Sequence, residues 1–351
     1  MDLVVEILAR LPVKSLMRFK CVCKFFYDLI KSDNQFMDKH YEIRKAKSDC
    51  VLLEMGWDVR EYYFLHRESE SNEIGCIYLD IPIMPIQWVK CCQGMLCMIS
   101  SKTDLTKLDG VDYLVYDILI WNPSIRKVKA LPSIIFPNKL PKGARVTPEF
   151  GFGISNNMTW KVVMLLEIRD KGGSFRNFDQ ITMVYSQVPG DSWSLKQINS
   201  VPFTPPNQGS GRDFYLKGRY YWLAKNYDYY ESYNEPHDID DYKPYKRHLL
   251  WFDMDDEVFG EIELPYFGDF SIASVTIMNE TIALLVNPIM GDRDCIEIWL
   301  MIKNDSNTYW HKQASVVNTN YRDSCKAIGI WNLDSQLLEL PDGIGTWDQD
   351  A

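Results

Sequence analysis

Residues 2–30 read DLVVEILARLPVKSLMRFKCVCKFFYDLI, and this stretch decides the fold of the N-terminal part of the chain. Its first apolar residues recur at helical spacing along one stripe: Leu3, Val4, Ile7, Leu8 and Leu11. That spacing predicts an amphipathic helix. Pro12 cannot continue this helix, but it suits the first turn of a second one. Beyond Pro12, apolar residues at three- and four-residue steps predict that second helical segment.

A third helix is predicted from the next polar cluster. Ser32-Asp33-Asn34-Gln35 matches a capping box with Ser32 as the cap, and the helix would pass through Phe36 and His40. Two or three short helices cannot build a self-sufficient core. We therefore expect them either to pack on the rest of the chain or to bury apolar residues against another protein.

The charge of the chain is unevenly distributed. The formal net charge is −10. Residues 1–47 carry ten Lys and Arg against six Asp and Glu, a charge of +4, and the remaining 304 residues carry 28 against 42, a charge of −14. An acidic chain is not expected to bind nucleic acid. No apolar run approaches the ~18 residues of a membrane span, so no membrane association is expected.

The nine cysteines show no regular spacing, and no CxxC pair occurs. The sequence therefore predicts neither a metal site nor a disulfide framework, and reduced thiols in a cytosolic protein are the expectation.

From about residue 50 the pattern changes to short apolar runs separated by Gly, Pro, Asn and Asp, which predicts β-strands. The predicted strands are 50–55, 61–65, 76–81, 94–99, 113–121, 150–154, 160–168, 181–186, 214–224, 248–254, 273–278, 281–286 and 295–302.

A weak internal repeat runs through these strands. In each copy a strand ends in an aromatic residue, a polar turn follows, and an apolar residue opens a second strand. The aromatic and apolar positions are Trp121 with Val128, Tyr185 with Trp193, Phe252 with Phe259, and Trp299 with Trp310. The aromatic residues lie 64, 67 and 47 residues apart, and the last interval is near the period of a propeller blade. A propeller-like array is predicted, with a two-sheet sandwich as the alternative.

Several motifs resemble those of a known family. Leu11-Pro12-Val13-Lys14-Ser15-Leu16, followed by Arg18-Phe19-Lys20-Cys21-Val22-Cys23-Lys24, resembles the F-box of plant proteins. The remainder resembles the F-box-associated interaction domain. The motifs that carry this second resemblance are Cys92-Gln93-Gly94-Met95-Leu96, Trp121-Asn122-Pro123, Phe150-Gly151-Phe152-Gly153, Tyr221-Trp222, Phe252-Asp253-Met254 and Ile296-Glu297-Ile298-Trp299. Within this family the chain is similar to S-locus F-box proteins.

The resemblance implies an α+β fold: a small helical F-box over residues 1–45 that binds an adaptor, and a large, mainly antiparallel β domain over residues 46–351 that binds a substrate. It implies the substrate-recognition subunit of an SCF-type (cullin–RING) ubiquitin ligase, without catalytic residues, cofactor or metal. The implied partners are a Skp-type adaptor, a cullin held through that adaptor, and a protein substrate, for S-locus members a pistil ribonuclease recognised in pollen. Cytoplasm and nucleus are the expected locations.

The apolar stripe, framed by Lys14, Arg18 and Lys20, is the surface that we expect the adaptor to contact. The predicted adaptor-binding residues are Leu3, Ile7, Leu11, Pro12, Leu16, Phe19, Val22 and Leu29. The alternative is that half of them form the internal core of the helices. Phe26 stands where the family commonly has Trp. Relative to the family the chain also starts late and stops early, from which we expect weaker adaptor binding and an unpaired strand edge.

Residues 227–243, YDYYESYNEPHDIDDYK, form an acidic, tyrosine-rich segment between two predicted strands. Either it is a solvated insertion, or it binds a basic substrate through its tyrosines and carboxylates. The candidate substrate-binding residues are Tyr229, Tyr230, Tyr233, Asp238, Asp240 and Asp241.

Two further patterns could indicate a ligand site. Asp253, Asp255, Asp256 and Glu257 lack the spacing of a calcium loop, so a polar turn is predicted. Gly151 and Gly153 match a phosphate loop only weakly. A propeller-type enzyme and an F-box protein that acts outside the ligase remain the alternative functions.

Overall fold

The computed structural model describes most of the chain with gaps between segments. The described residues are 2–45, 50–55, 61–67, 74–78, 86–108, 111–122, 125, 127–136, 145–169, 178–188, 192–198, 203–204, 213–226, 247–265, 272–278, 280–287, 295–303, 308–317, 326–330, 335–340 and 343–348. They form two compact units, Met1–Asn138 and Lys139–Ala351.

The first unit begins with four helices: α1 (Asp2–Ala9), α2 (Val13–Phe19), α3 (Lys24–Ser32) and α4 (Asn34–Lys45). Pro12 is the N-cap of α2, and its carbonyl accepts hydrogen bonds from the amides of Ser15 and Leu16. The cap of α4 differs from the prediction. The Asp33 carboxylate, rather than Ser32, accepts a hydrogen bond from the amide of Phe36 at 2.9 Å. A carboxylate at this position caps a helix as well as a hydroxyl does.

The strands of the first unit form two antiparallel sheets. Sheet 1 contains β1 (Cys50–Met55), β2 (Glu61–Arg67) and β3 (Ile74–Tyr78). Sheet 2 contains β4 (Trp88–Cys92), β5 (Met95–Leu108), β6 (Val111–Asn122), β7 (Lys127–Ala130) and β8 (Ile134–Phe136).

The second unit contains four further antiparallel sheets. Sheet 3 contains β9 (Arg145–Ile154), β10 (Trp160–Arg169), β11 (Phe178–Val188) and β12 (Ser192–Ile198). Sheet 4 contains β13 (Phe203–Thr204), β14 (Asp213–Leu216), β15 (Arg219–Asn226), β16 (Arg247–Asp253) and β17 (Phe259–Glu263). Sheet 5 contains β18 (Ile272–Met278), β19 (Thr281–Asn287), β20 (Cys295–Lys303) and β21 (Thr308–Val317). Sheet 6 contains β22 (Lys326–Ile330), β23 (Ser335–Leu340) and β24 (Gly343–Asp348).

Each of the six sheets is built from strands that are consecutive in the chain. This order differs from the two-sheet sandwich considered as the alternative, and it is the order of propeller blades. The predicted repeat corresponds to two neighbouring strands of one sheet: β6 and β7, β11 and β12, β16 and β17, or β20 and β21. Trp121 pairs directly with Val128, and Phe252 with Phe259.

The predicted strand 214–224 is wrong in one respect, because the chain reverses in its middle. Lys217 and Gly218 both have positive φ, 47° and 82°, and they form the turn between β14 and β15. Gly218 can adopt this backbone conformation without steric cost.

Gly151 and Gly153 lie in strand β9 rather than in a phosphate loop. A Cβ atom on Gly151 would lie 2.7 Å from the Trp222 ring, and the Tyr215 ring occupies the same space at Gly153. The two glycines therefore let aromatic side chains of sheet 4 pack against sheet 3. The resulting core is lined by Val163, Val184, Tyr220, Trp222, Ala224, Leu250, Phe252 and Met254.

Candidate functional site

The four helices enclose a small apolar core of their own. It consists of Leu8, Ala9, Leu16, Leu29 and Phe36, with Val5, Leu11, Phe26, Ile30 and Ile43 packed against it. Two polar contacts join α4 to the start of the chain. His40 Nε2 donates a hydrogen bond to the carbonyl of Leu11 at 2.9 Å, and Lys39 forms an ion pair with Glu6. The helices thus hold together around a core that leaves part of their apolar surface outside.

Two apolar patches remain exposed on this helical module. Leu3, Val4 and Ile7 form what we call the α1 patch, and Leu3 and Ile7 are 75% and 53% exposed. The second patch, the α2–α3 patch, consists of Phe19, Val22 and Phe25, and Val22 is 66% exposed. Grouped apolar side chains at the surface indicate a protein-binding site.

The predicted adaptor-binding residues fall into three groups. Leu3, Ile7, Pro12, Phe19 and Val22 are exposed. Leu11 is half-buried at the edge of the core, and Leu16 and Leu29 are buried within it. Leu16 and Leu29 could therefore affect adaptor binding only indirectly, by holding the helices in place. The structure adds Val4 and Phe25, which are 39% and 38% exposed. Of these two, Val4 already belongs to the apolar stripe in the sequence.

Basic side chains lie beside the α2–α3 patch. Lys14 and Arg18 are exposed, and the ammonium groups of Lys20 and Lys31 each lie 5.0 Å from the centre of the Tyr27 ring. Lys31 also donates a hydrogen bond to the Tyr27 hydroxyl at 2.8 Å, which lowers the pKa of Tyr27. These cations suit an acidic partner, although Asp28 and Asp33 also lie nearby.

A shallow depression of about 520 Å³ adjoins the second patch. It is lined by Phe25, Asp28, Leu29, Ser32, Asp33 and Gln35. Its one exposed aromatic wall, Phe25, belongs to the α2–α3 patch, so the depression extends that surface along α3.

The candidate substrate-binding residues lie outside the described part of the chain. These are Tyr229, Tyr230, Tyr233, Asp238, Asp240 and Asp241, all between β15 and β16. The described strand ends on either side are paired with each other, Lys225 opposite Arg247.

In the acidic turn at the end of β16, Asp253 is hydrogen-bonded to other groups of the same chain. Asp253 accepts hydrogen bonds from Arg219 Nε at 3.0 Å and from the amides of Asp255 and Asp256. Burial acts to raise the pKa of Asp253, but these hydrogen bonds outweigh it, and its pKa is lower than usual. The polar turn predicted here is present in the structure. Within the described residues, no group of three or more His, Cys, Asp or Glu side chains is placed to hold a metal ion.

Glu257, in the same turn, joins two sheets. Its carboxylate accepts hydrogen bonds from Lys161 Nζ at 2.8 Å and from Lys196 Nζ at 2.7 Å, both on sheet 3. Burial acts to raise the pKa of Glu257, but the two lysines outweigh it, and its pKa is lower than usual. This carboxylate therefore has a structural role between sheets 3 and 4.

None of the helices in the described residues has the length and apolar character needed to cross a lipid bilayer.

Four short helices followed by serial antiparallel sheets agree with the architecture that the sequence motifs imply. The model of the F-box domain matches residues 1–37, and the model of the F-box associated beta propeller domain matches residues 58–335. The chain therefore belongs to the plant F-box proteins that carry an F-box-associated β-propeller domain.

The relatives of this chain include F-box proteins of Arabidopsis thaliana. An F-box/kelch-repeat protein is 24% identical over 324 residues, covering 87% of this chain and 71% of its own. An F-box protein is 25% identical over 314 residues, with the same coverages. Among solved structures, the β-propeller domain of the Trilobed protease from Pyrococcus furiosus aligns with a TM-score of 0.34 at 9% identity. That alignment covers 86% of this chain and 91% of the other.

Together, the F-box, the F-box-associated domain and the F-box relatives support a substrate-recognition role in SCF-type ubiquitin ligases. F-box proteins are in general substrate adaptors, which supports a non-catalytic role for this chain.

Proposed function

We propose that this chain docks on a Skp-type adaptor, and through it on a cullin, by means of the α1 and α2–α3 patches. The observation that carries the proposal is the division of apolar residues in the helical module. Leu8, Leu16 and Leu29 close the core, whereas the two patches stay outside it. Burying exposed side chains of this size against a partner contributes about 1.5–3 kcal/mol of favourable binding free energy each, before the cost of association is subtracted.

Replacing Ile7 with Asp tests this docking. We expect the affinity for a recombinant plant Skp-type adaptor to fall by more than about tenfold, because a charge would be buried in an apolar contact. The matched control is Ile135→Asp, since Ile135 is 59% exposed in sheet 2 and Ile7 is 53% exposed in α1. Equal adaptor binding by the two variants in a titration would refute the assignment of the α1 patch.

We further propose that the β domain holds a basic protein for ubiquitination, and that it does so without chemistry of its own. It would raise the concentration of substrate lysines near the activated ubiquitin. The support is electrostatic: residues 48–351 have a formal charge of −14. For a chain similar to S-locus F-box proteins, a pistil ribonuclease recognised in pollen is the proposed substrate, and cytoplasm and nucleus are the proposed locations.

Replacing Asp238, Asp240 and Asp241 with Lys tests the acidic segment. We expect slower association with a basic ribonuclease and a weaker dependence of the association rate on salt, because steering by charge acts mainly on the rate of encounter. An acidic ribonuclease is the control partner. If both rate and salt dependence stay as in the wild type, the segment does not recognise the substrate.

Purification of the tagged chain from pollen, with a proteasome inhibitor present, tests the whole assignment. We expect the adaptor, the cullin and one enriched ribonuclease to be recovered. Recovery of the ribonuclease without adaptor and cullin would favour an F-box protein that acts outside the ligase.

A further inference from the structure

Two exposed cysteines lie next to the α2–α3 patch. Cys21 and Cys23 are both exposed, and they flank Val22, which is 66% exposed. Cys92 and Cys97, by contrast, are buried in sheet 2. The pair therefore lies at the surface that is proposed to bind the adaptor.

The backbone leaves both sulfur atoms accessible. Cys21 follows α2 in a turn, and its Sγ makes only a weak contact, 3.7 Å from the carbonyl of Met17. Cys23 is the N-cap of α3, with φ −157° and ψ 163°, and its side chain makes no capping hydrogen bond. Exchange of a thiol with a disulfide requires access to the sulfur, and both positions provide it.

The local charge favours an anionic reagent. Lys20 precedes Cys21 and Lys24 follows Cys23 in the chain, and Arg18 is one turn away. Glutathione and its disulfide carry net negative charge, so these cations attract them. Residues 48–351, by contrast, carry a formal charge of −14.

We propose that Cys21 and Cys23 form mixed disulfides with glutathione, and that this modification reversibly blocks adaptor docking. The oxidant is glutathione disulfide. A cysteine thiol releases its proton to solvent, and the thiolate attacks one sulfur of the disulfide. The glutathione S–S bond breaks, a new S–S bond joins the cysteine to one glutathionyl group, and the other glutathione leaves as a thiolate. The cysteine sulfur is oxidised, and the departing glutathione sulfur is reduced.

The modification would block docking for steric and electrostatic reasons. A charged tripeptide attached beside Val22 covers the apolar patch and would have to be desolvated or displaced when the adaptor binds. We expect the affinity for the adaptor to fall by at least about tenfold. This inference depends on the docking function proposed above.

The experiment treats the full chain with glutathione disulfide, removes the reagent, and measures modified positions by peptide mass spectrometry and adaptor affinity by titration. We expect glutathionylation at Cys21 or Cys23, weaker binding, and recovery after reduction with dithiothreitol. Cys21→Ser and Cys23→Ser, singly and together, assign the effect to a position, and the double variant should bind the adaptor equally with and without treatment. Cys91→Ser, in β4, where burial raises the pKa of the thiol to about 11, should respond like the wild type.

Two results would overturn the inference: no modification of the native chain at either position, or modification with unchanged adaptor affinity. Either result leaves the docking function intact as long as the untreated chain binds. If the untreated, reduced chain does not bind the adaptor at all, the docking function itself fails.

Discussion

The helical module and the paired sheets 3 and 4 use apolar residues in opposite ways. Seven of the thirteen large apolar side chains that are exposed in the described residues lie within residues 2–45. In sheets 3 and 4 several large aromatic side chains are buried, and Trp222, Tyr185 and Phe252 are at most 1% exposed. One region leaves its apolar surface available, and the other encloses it.

The charged residues differ in the same way. In sheets 3 and 4, Glu257 and Asp253 are paired with cations from neighbouring strands. In the helical module the basic residues around the α2–α3 patch extend outward, although Lys20 and Lys31 also contact Tyr27. This difference fits the proposed docking of residues 2–45 on a partner, whereas sheets 3 and 4 pack against each other.

Replacing one aromatic residue in each region should separate stability from binding. Trp222→Ala removes a buried ring whose indole nitrogen donates to the Phe150 carbonyl at 3.2 Å. We expect it to lower the free energy of unfolding by about 3–5 kcal/mol, with little change in adaptor affinity. Phe19→Ala should lower the free energy of unfolding by no more than about 1 kcal/mol, since the Phe19 ring makes an edge contact with Phe26. It should nevertheless weaken adaptor binding.

Two spectroscopic signals can follow these regions separately. Residues 1–45 contain no tryptophan, so intrinsic tryptophan fluorescence reports on the remainder of the chain, and the helical signal in circular dichroism reports on the helical module. If Trp222→Ala leaves the fluorescence transition in urea unchanged, the contrast between the two regions is wrong.

The ion pairs that join sheets 3 and 4 allow a smaller, matched test. The side chain of Lys161 is 9% exposed and that of Lys196 is 64% exposed, yet both bind Glu257. We expect Lys161→Met to lower the free energy of unfolding by about 1–3 kcal/mol, because the hydrogen bond that it removes is sheltered from water. Lys196→Met should cost less than about 0.5 kcal/mol, because solvent screens the exposed pair. Equal losses in urea denaturation would contradict this difference.

The sequence alone predicts much of this contrast, but not its details. The apolar stripe of α1 was predicted correctly, yet its periodicity does not tell whether Leu3 or Leu8 faces the core, because that depends on where α4 packs. The repeat located two neighbouring strands in each of sheets 2 to 5, whereas sheets 1 and 6 lie outside it. The contact of Lys161 with Glu257 joins residues far apart in the chain, and no local pattern encodes it. The acidic substrate segment is a prediction from composition and remains one.

The smallest expected effect is a dependence of stability on pH that belongs to sheets 3 and 4. The pKa of Glu257 in the folded chain is below its usual value of 4.5, so the folded state holds this proton less tightly than the unfolded state. The stabilisation is therefore fully present above about pH 4.5 and is lost as the pH falls through the lower, folded value.

We expect the difference in free energy of unfolding between the wild type and Glu257→Gln to be constant from pH 7 to pH 5 and to shrink below that range. Fluorescence-detected urea denaturation at several pH values measures it. A difference that stays constant at low pH would show that the carboxylate charge of Glu257 does not stabilise the contact between the two sheets.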